Sequence, residues 1–469
     1  MPPDAEDTMP LMRRFVEAVG VRIAVMAAGL GISVLLARTL GAEEFGHYVF
    51  AFSVATILSI PVQAGLPLLL TKSLPKYQVV EDLARLRGLL LFALMFTLVF
   101  SGLAFVAYWA VDFWLSRQFG GYAGRETVHL AILLLPFIAL STSLGAAVRS
   151  LGRLLVGQMI ETGLRQFTLL AMLGAVALGA VGAQLSAEMA MQFHIAAAVV
   201  TTAVGGTVLG LACGVGRGPA GMSMEWRKWA LTLVPLSLIA CLQIILNKTD
   251  VVMLRGLIGA EEVAIYFVAN QLGNLVFLAN QAVRMVKGPM LARAVQKQDL
   301  GALQHVYSRG ALFVFLFALP GAVFLLLFGA PILGVVFGPE YRSAYPVVAV
   351  FAIGYVVQAL FGNTELLLKV TDNEWVVMRA MMLAIIANLG LNALMIPWLG
   401  ALGAALASFT VTLCVKWYLS REIRRRVGIS AFAFDVKWIY SGTTGVSALK
   451  KRSQSGSLKV GRTGRGKLF

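Results

Sequence analysis

The chain has 469 residues, of which 59% are hydrophobic and 13% are charged, with a mean hydropathy of +0.81 and a formal net charge of +16. Soluble domains are about 45–50% apolar and about 25% charged, so a soluble fold could not bury this much apolar surface. Nucleic acid is not indicated as a partner, because the basic residues lie between long apolar runs, as they do in the loops of membrane proteins. We expect an all-α integral membrane protein.

Apolar segments long enough to span a bilayer, which takes about 20 residues, recur along the whole chain. The first follows Asp4, Glu6 and Asp7 and is too long for the core of a signal peptide, so we expect an uncleaved first helix. The sequence predicts twelve spans, which in chain order are 16–36, 48–70, 89–111, 128–148, 167–184, 193–215, 229–246, 263–286, 312–328, 345–367, 376–396 and 402–419.

Lysine and arginine are distributed unequally between alternate loops. The loop after span four holds Arg149, Arg153 and Arg165, whereas the connections after spans five and eleven hold no basic residue. Cytoplasmic loops of membrane proteins are enriched in these two residues. We therefore predict a multi-pass protein of the bacterial plasma membrane, in contact with membrane lipids and with both termini in the cytoplasm.

The pattern of loops and spans divides the chain into five parts. They are a cytoplasmic N-terminus (1–14), a first lobe of six spans (15–216), an inner linker (217–228), a second lobe of six spans (229–420) and a basic tail (421–469). From Ser441 the tail is rich in Ser, Gly, Lys and Arg, a composition typical of disorder. The tail either binds anionic lipid headgroups or is the non-native scar of a truncation or frameshift in a parent of up to fourteen spans.

An internal repeat relates the two lobes. The sequence GAEE at 41–44 recurs at 259–262, and Tyr48 recurs as Tyr266 at the same offset of 218 residues. Each lobe has an even number of spans, so the two share one orientation and a pseudo-two-fold axis along the membrane normal. A duplicated turn accounts for the motif itself, since Gly ends a helix and Glu suits the start of the next. It does not account for duplication of the whole chain.

Three segments carry a family resemblance. They are LARTLGAEEFGHY at 36–48, TDVVML at 249–254, and NALMIP at 392–397 followed by small residues. These segments resemble the bacterial O-antigen and exopolysaccharide flippases, a Wzx-like family, over roughly residues 10–425. Related families are the MATE-type multidrug exporters and the lipid II flippases.

The resemblance implies a fold, a mechanism and a cargo. It implies two six-helix lobes around a V-shaped cavity that opens alternately to either side of the membrane, with no cofactor. The implied cargo is an oligosaccharide on undecaprenyl pyrophosphate, handled alongside a polysaccharide polymerase and chain-length machinery.

Polar side chains inside spans are costly, so each indicates a functional site by default. One face of span eight carries four of them at helical spacing, namely Asn270, Asn274, Gln281 and Arg284. This face either lines a path for sugars or joins helices through hydrogen bonds. Arg284 lies near the inner end of the span, where a pyrophosphate would be held through paired hydrogen bonds.

Two further cavity candidates lie in the first lobe. Arg22 is about two turns into span one, where it either faces the cavity or extends to the inner interface. Gln63 follows Pro61, which should loosen span two. Such a bend either gates the cavity or serves helix packing alone.

A polar group closes predicted span seven. Asn247 and Asp250 are candidates for binding a coupling cation. Asp250 alternatively pairs with Lys248 in a cluster at the outer interface. The corresponding position of the first lobe holds Ile32, so the repeat supplies no second acid.

Several functions compete on the sequence alone. A flippase for a lipid-linked oligosaccharide fits the basic residues deep in the spans, because its cargo is anionic. A multidrug or cation antiporter of the same fold would need buried carboxylates, which are scarce, and a lipid II flippase shares the charge pattern of the oligosaccharide flippase. A membrane polysaccharide polymerase would need a large outer loop or catalytic acids, and the sequence indicates no catalytic residue, metal site or nucleotide site.

Overall fold

The computed structural model describes residues 5–63, 65–119, 123–179, 185–213, 223–297 and 299–433. Within these ranges the chain is helical and contains no β-strand, as expected for an all-α membrane protein. Two short π-helical segments (Met159–Gly163 and Leu333–Phe337) and one 3-10 segment (Pro339–Ala344) interrupt the α-helices. The α-helices are α1 (Ala5–Gln63), α2 (Leu66–Val79), α3 (Leu83–Phe119), α4 (Arg125–Ile132), α5 (Leu135–Ser150), α6 (Leu154–Gln158), α7 (Leu164–Ala177), α8 (Ala187–Ala212), α9 (Trp226–Leu257), α10 (Ala260–Gln296), α11 (Leu300–Ile332), α12 (Tyr345–Phe361), α13 (Thr364–Val370) and α14 (Glu374–Arg426).

The first and last long helices each bend at a glycine. Gly41 in α1 has a φ of +76° and Gly400 in α14 has a φ of +56°, conformations that residues with a Cβ rarely adopt. Predicted spans one and two therefore lie on either side of Gly41. Spans eleven and twelve lie on either side of Gly400 in the same way.

Six of the described helices are long and apolar enough to cross a membrane, or seven if the bent pair α4 and α5 counts as one span. The membrane-spanning, all-helical architecture is thus confirmed, whereas the count of twelve stays a prediction. Predicted span four is broken between α4 and α5. Predicted span five began too late, because helix starts at Leu154 and Arg165 lies inside α7 rather than in an inner loop.

The chain forms two compact units. The first comprises Met1–Leu272, Leu325–Phe351 and Met381–Val411, and the second comprises the remaining segments. In the first unit, Leu74, Leu89 and the indole of Trp229 are fully buried in one apolar core. The units do not follow the predicted lobe boundaries at 216 and 229, so the lobe assignment stays a prediction.

The two copies of the GAEE repeat touch each other within the first unit. The ring of Phe45 lies edge-on to that of Phe267, with 5.8 Å between centroids. Gly46 packs so closely against Ala260 that a Cβ on Gly46 would overlap the Ala260 carbonyl oxygen. The first glycine of both copies has a positive φ, +76° at Gly41 and +155° at Gly259, as a turn that ends a helix requires.

The second glutamate of each copy caps a distant helix. Glu44 Oε2 accepts a hydrogen bond from the amide of Ala187, the first residue of α8, at 3.4 Å. Glu262 Oε2 accepts one from the amide of Ala401, directly after the bend of α14, at 2.5 Å. Gly400 leaves room for this carboxylate, because a Cβ there would lie 2.5 Å from Glu262 Oε2. The glutamates therefore satisfy free amides at helix N-termini.

Glu262→Ala should lower the free energy of unfolding by about 1–2 kcal/mol, because it removes a charge-assisted cap from a helix start. Glu44→Ala should cost less, since its hydrogen bond is longer and its side chain is exposed. Thermal unfolding of both variants in detergent measures the difference. Equal losses for the two variants would contradict this assignment.

The segment after α14 packs within the second unit. Gln304 accepts from the amide of Ser430 at 2.7 Å and donates to its carbonyl at 2.9 Å. The amide of Ala433 donates to the carbonyl of Leu360 at 2.8 Å, and the Phe432 ring lies edge-on to Phe361. The predicted boundary of the basic tail at 421 falls inside α14, which continues to Arg426 before this packed segment begins. The rest of the tail lies outside the described residues, as do residues 1–4 and part of the predicted linker.

Candidate functional site

Asp250 is the one acid among the predicted site residues, and its side chain is buried. Helix α9 continues to Leu257, so Asp250 lies within the helix and not at its end, and it is 3% exposed. Asn392 Nδ2 donates to one carboxylate oxygen at 2.7 Å, and Ser408 Oγ donates to the other at 2.6 Å. The hydroxyl of Tyr266 donates to the second oxygen as well. All four residues belong to the first unit.

Two asparagine side chains extend the hydrogen-bond network of the carboxylate. Asn388 and Asn392 lie one turn apart on α14, and Asn392 Nδ2 donates to Asn388 Oδ1 at 3.1 Å. Asn388 Nδ2 donates to Ser408 Oγ at 3.1 Å, across the bend at Gly400. Asn392 is fully buried, and its Oδ1 has no hydrogen-bond partner. We call Asp250, Tyr266, Asn388, Asn392 and Ser408 the Asp250 cluster.

No described basic side chain pairs with Asp250. The predicted pair with Lys248 is wrong, because Lys248 points elsewhere on α9 and its Nζ lies 3.5 Å from Ser53 Oγ. Asn247 is exposed and does not join the cluster. Carboxylate, amide and hydroxyl oxygens are the ligands that hard cations prefer. Burial of an ionised carboxylate without a positive charge beside it costs free energy. The cluster is therefore suited to a small cation or a proton.

The polar residues of predicted span eight all lie on α10. Asn274 Oδ1 accepts from the hydroxyl of Tyr355 at 3.1 Å, and the Tyr355 ring packs 5.2 Å from Phe277 within the second unit. Asn270 is half-buried on the same helix. The side chains of Gln281 and Arg284 lie outside the described residues, so their roles stay predictions.

The two candidates of the first lobe have different surroundings. Arg22 is exposed on α1. Gln63 is the last residue of α1, and its Nε2 donates to Ser59 Oγ at 3.0 Å one turn earlier. The structure does not bring Arg22 and Gln63 together with the Asp250 cluster.

Sequence reasoning missed most partners of Asp250. Tyr266 was noticed only as part of the repeat, and Asn392 only as part of a family motif. The spacing of four between Asn388 and Asn392 predicts one helix face and was an available signal. Ser408 offered none, because the bend at Gly400 alone returns it to Asp250.

Two family models and one curated protein match this chain in sequence. Residues 15–295, more than half of the chain, match the family model described as polysaccharide biosynthesis protein, and residues 235–394 match the MatE model. The probable low-salt glycan biosynthesis flippase Agl15 of Haloferax volcanii is 26% identical over 402 residues, which cover 83% of this chain and 79% of that protein.

Solved structures share the fold. An inward-facing multidrug resistance MATE family transporter of the MOP superfamily matches with a TM-score of 0.68 at 14% identity, covering 87% of this chain and 98% of its own. The lipid II flippase MurJ in an inward closed conformation matches with a TM-score of 0.66 at 12% identity, covering 86% and 87%. The expected MATE-like membrane fold is thereby confirmed. The chain belongs to the family described as polysaccharide biosynthesis protein.

Proposed function

We propose that the protein flips an oligosaccharide linked to undecaprenyl pyrophosphate from the inner to the outer leaflet of the bacterial plasma membrane by alternating access. The observation that carries the proposal is the family match over more than half of the chain, together with a relative named as a glycan flippase. The product feeds surface polysaccharide synthesis, where a polymerase and chain-length machinery take it up. Both chain termini face the cytoplasm.

The charge of the membrane helices supports an anionic, polar cargo. The proposed cavity residues are basic or neutral, namely Arg22, Gln63, Asn270, Asn274, Gln281 and Arg284. Cationic drugs would require buried carboxylates along the path, whereas Asp250 is enclosed by its own donors. The amides of α10 offer donors and acceptors to sugar hydroxyls, and Arg284 suits the pyrophosphate.

Transport needs a source of energy, and the Asp250 cluster suits a coupling ion. A cation gradient can drive the cycle if a cation binds this carboxylate in one state of the transporter more tightly than in the other. Sodium ions and protons both fit the oxygen donors. Asn247 contributes only through a rearrangement that brings it to the cluster.

Deleting the gene tests the proposed function directly. We expect surface polysaccharide to disappear and the lipid-linked repeat unit to accumulate in the inner leaflet, measured by leaflet-specific labelling of intact and opened vesicles. Normal polysaccharide with altered drug resistance would support a multidrug antiporter instead. A block in cell-wall synthesis would support a lipid II flippase.

Arg284→Ala should reduce export of the lipid-linked oligosaccharide at least tenfold without lowering protein level, because it removes a bidentate phosphate ligand. Complementation of the deletion strain measures export, and immunoblotting of membranes measures protein level. Arg227→Ala is the matched control, since Arg227 is exposed and stacks on Trp226 at 5.2 Å. Wild-type export by Arg284→Ala would mean that Arg284 does not bind cargo.

A further inference from the structure

A second polar cluster lies in the first unit, apart from Asp250. The Tyr48 hydroxyl on α1 lies 2.8 Å from Nδ1 of His194 on α8, and both residues are buried. The Phe52 ring stacks on the His194 imidazole, with 5.0 Å between centroids. The guanidinium of Arg165, on α7, lies within electrostatic range of both Tyr48 and His194. We call Tyr48, Arg165 and His194 the Arg165 cluster.

The positive charge of this region has no counter-ion among the described residues. Nε and Nη1 of Arg165 are inaccessible to solvent and have no hydrogen-bond partner. Lys248 lies beside the cluster, with its ammonium 5.7 Å above the Phe52 ring and 3.5 Å from the Ser53 hydroxyl. No described carboxylate forms an ion pair with Arg165 or Lys248. An ionised side chain whose polar atoms are shielded from water is costly without a counter-ion, so a structural role alone does not account for the two.

The internal repeat relates this cluster to the Asp250 cluster. Tyr48 and Tyr266 are equivalent positions of the repeat. His194 lies seven residues after Ala187, and Ser408 lies seven residues after Ala401, where Ala187 and Ala401 are the two amides capped by the repeat glutamates. The two halves thus place a tyrosine hydroxyl against the same turn of equivalent helices.

The charges at these equivalent places are opposite. In the second half, the carboxylate of Asp250 is buried and forms no ion pair with a described basic residue. The equivalent position in the first half is Ile32. The first half instead shields Nε and Nη1 of Arg165 from solvent, with no described acid paired to them. If the acidic cluster is suited to a cation, the same reasoning makes the basic cluster suited to an anion.

We propose that the Arg165 cluster is a buried binding site for a phosphate-type anion. The guanidinium donates charge-assisted hydrogen bonds to phosphate oxygens, and its Nε and Nη1, on different edges of the group, have no protein partner. The Tyr48–His194 pair supplies one neutral donor beside it, because the other proton is used in the hydrogen bond between the two residues, and Lys248 adds positive potential. In identifying the anion as the pyrophosphate of the cargo, the inference rests on the proposed flippase function, and the site is separate from Arg284 on α10.

Binding by the purified full-length protein tests the site. Inorganic pyrophosphate should raise the melting temperature of the wild type in detergent, and the apparent affinity for pyrophosphate should fall at least tenfold in Arg165→Gln. Arg117→Gln is the matched control, because Arg117 is exposed and stacks only on Phe113, and it should bind as the wild type does. Equal pyrophosphate affinity in Arg165→Gln and the wild type overturns the proposal.

A second variant covers the case in which Arg165→Gln does not fold. Tyr48→Phe keeps the ring and removes only the hydroxyl, so we expect a smaller loss of pyrophosphate affinity, about threefold to tenfold, and a modestly lower melting temperature without ligand, because His194 Nδ1 loses its buried partner. Unchanged pyrophosphate affinity in Tyr48→Phe overturns the role given to the hydroxyl and, where Arg165→Gln is unfolded, the proposed site.

Nanodiscs distinguish the sources of the anion. Stabilisation that depends on Arg165 and appears with phosphatidylglycerol, but not with pyrophosphate in pure phosphatidylcholine, supports the site and assigns it to a lipid headgroup. If pyrophosphate binding depends on Arg165 but deletion of the gene leaves polysaccharide export intact, the site is supported and the proposed function is contradicted. Loss of export on deletion, with pyrophosphate binding that does not depend on Arg165, contradicts the site alone.

Discussion

Asp250→Asn is expected to abolish cation-coupled export, with at least a tenfold loss in the transport rate. The substitution keeps the size of the side chain and removes its charge. Three donors from Tyr266, Asn392 and Ser408 converge on this carboxylate, and no described base neutralises it. A cation bound there would lose its only ionised ligand in the cluster, and a loss of about 1.4 kcal/mol already corresponds to a factor of ten in affinity.

Two measurements separate the possible ions. In the wild type, sodium ions should raise the melting temperature relative to potassium ions if sodium binds the Asp250 cluster, and Asp250→Asn should remove that difference. If the coupling ion is a proton, Asp250→Asn should stop export without any effect of sodium on the wild type. Glu188→Gln is the control, because Glu188 is an exposed acid in the first turn of α8. Full export by Asp250→Asn would refute a coupling role for the cluster.

Gly46→Ala is expected to destabilise the folded protein by about 2–3 kcal/mol, more than the usual cost of one added methyl group. The new Cβ would overlap the carbonyl oxygen of Ala260 and lie 2.5 Å from its carbonyl carbon. Both atoms belong to the backbone at the start of α10, so no side chain can rotate to make room. The two copies of the repeat would have to move apart.

Thermal unfolding in detergent and the amount of protein in membranes both report this change. Gly102→Ala is the matched control, because Gly102 is an exposed glycine of α3 with open space where a Cβ would stand. That variant should be neutral or more stable by up to about 1 kcal/mol, since alanine is the better helix former. If Gly46→Ala and Gly102→Ala behave alike, the tight contact between the repeats is not present in the protein.

Much of the helical framework could be predicted because the bilayer imposes it. Backbone groups in lipid must be paired within a helix, so a long apolar run leaves little choice of structure. The apolar cores of α3, α8 and α11 were located in this way. The repeat at 41 and 259 also indicated a glycine that ends a helix, and both glycines have a positive φ.

Interruptions of a helix were harder to predict, since they depend on local contacts and not on apolarity. Predicted span five began at residue 167, although the helix begins at Leu154 and passes through a π-helical turn. That shift concealed Arg165, which was assigned to a loop and in fact lies on α7, with its Nε and Nη1 shielded from solvent. Arg165 is the clearest example of a functional candidate hidden by an error in a span boundary.

The Asp250 cluster illustrates a different limit. Its partners Asn392 and Ser408 are 142 and 158 residues away in the chain, so only the tertiary fold brings them to the carboxylate. Sequence alone left two alternatives open for Asp250, a coupling cation or a pair with Lys248, and the Lys248 ammonium lies instead near Ser53 Oγ. Long-range hydrogen bonds of this kind are set by where α14 bends, which a single sequence does not reveal.

The glutamate caps also have a consequence for biosynthesis. Glu44 binds the amide of Ala187, which is 143 residues further along the chain, and Glu262 binds the amide of Ala401, which is 139 residues further. At about 5–20 residues per second, each carboxylate leaves the ribosome roughly 7–29 s before its partner is made. During that interval, α8 or the last part of α14 has not yet been synthesised. The helix surfaces that it later covers are exposed to membrane chaperones and proteases.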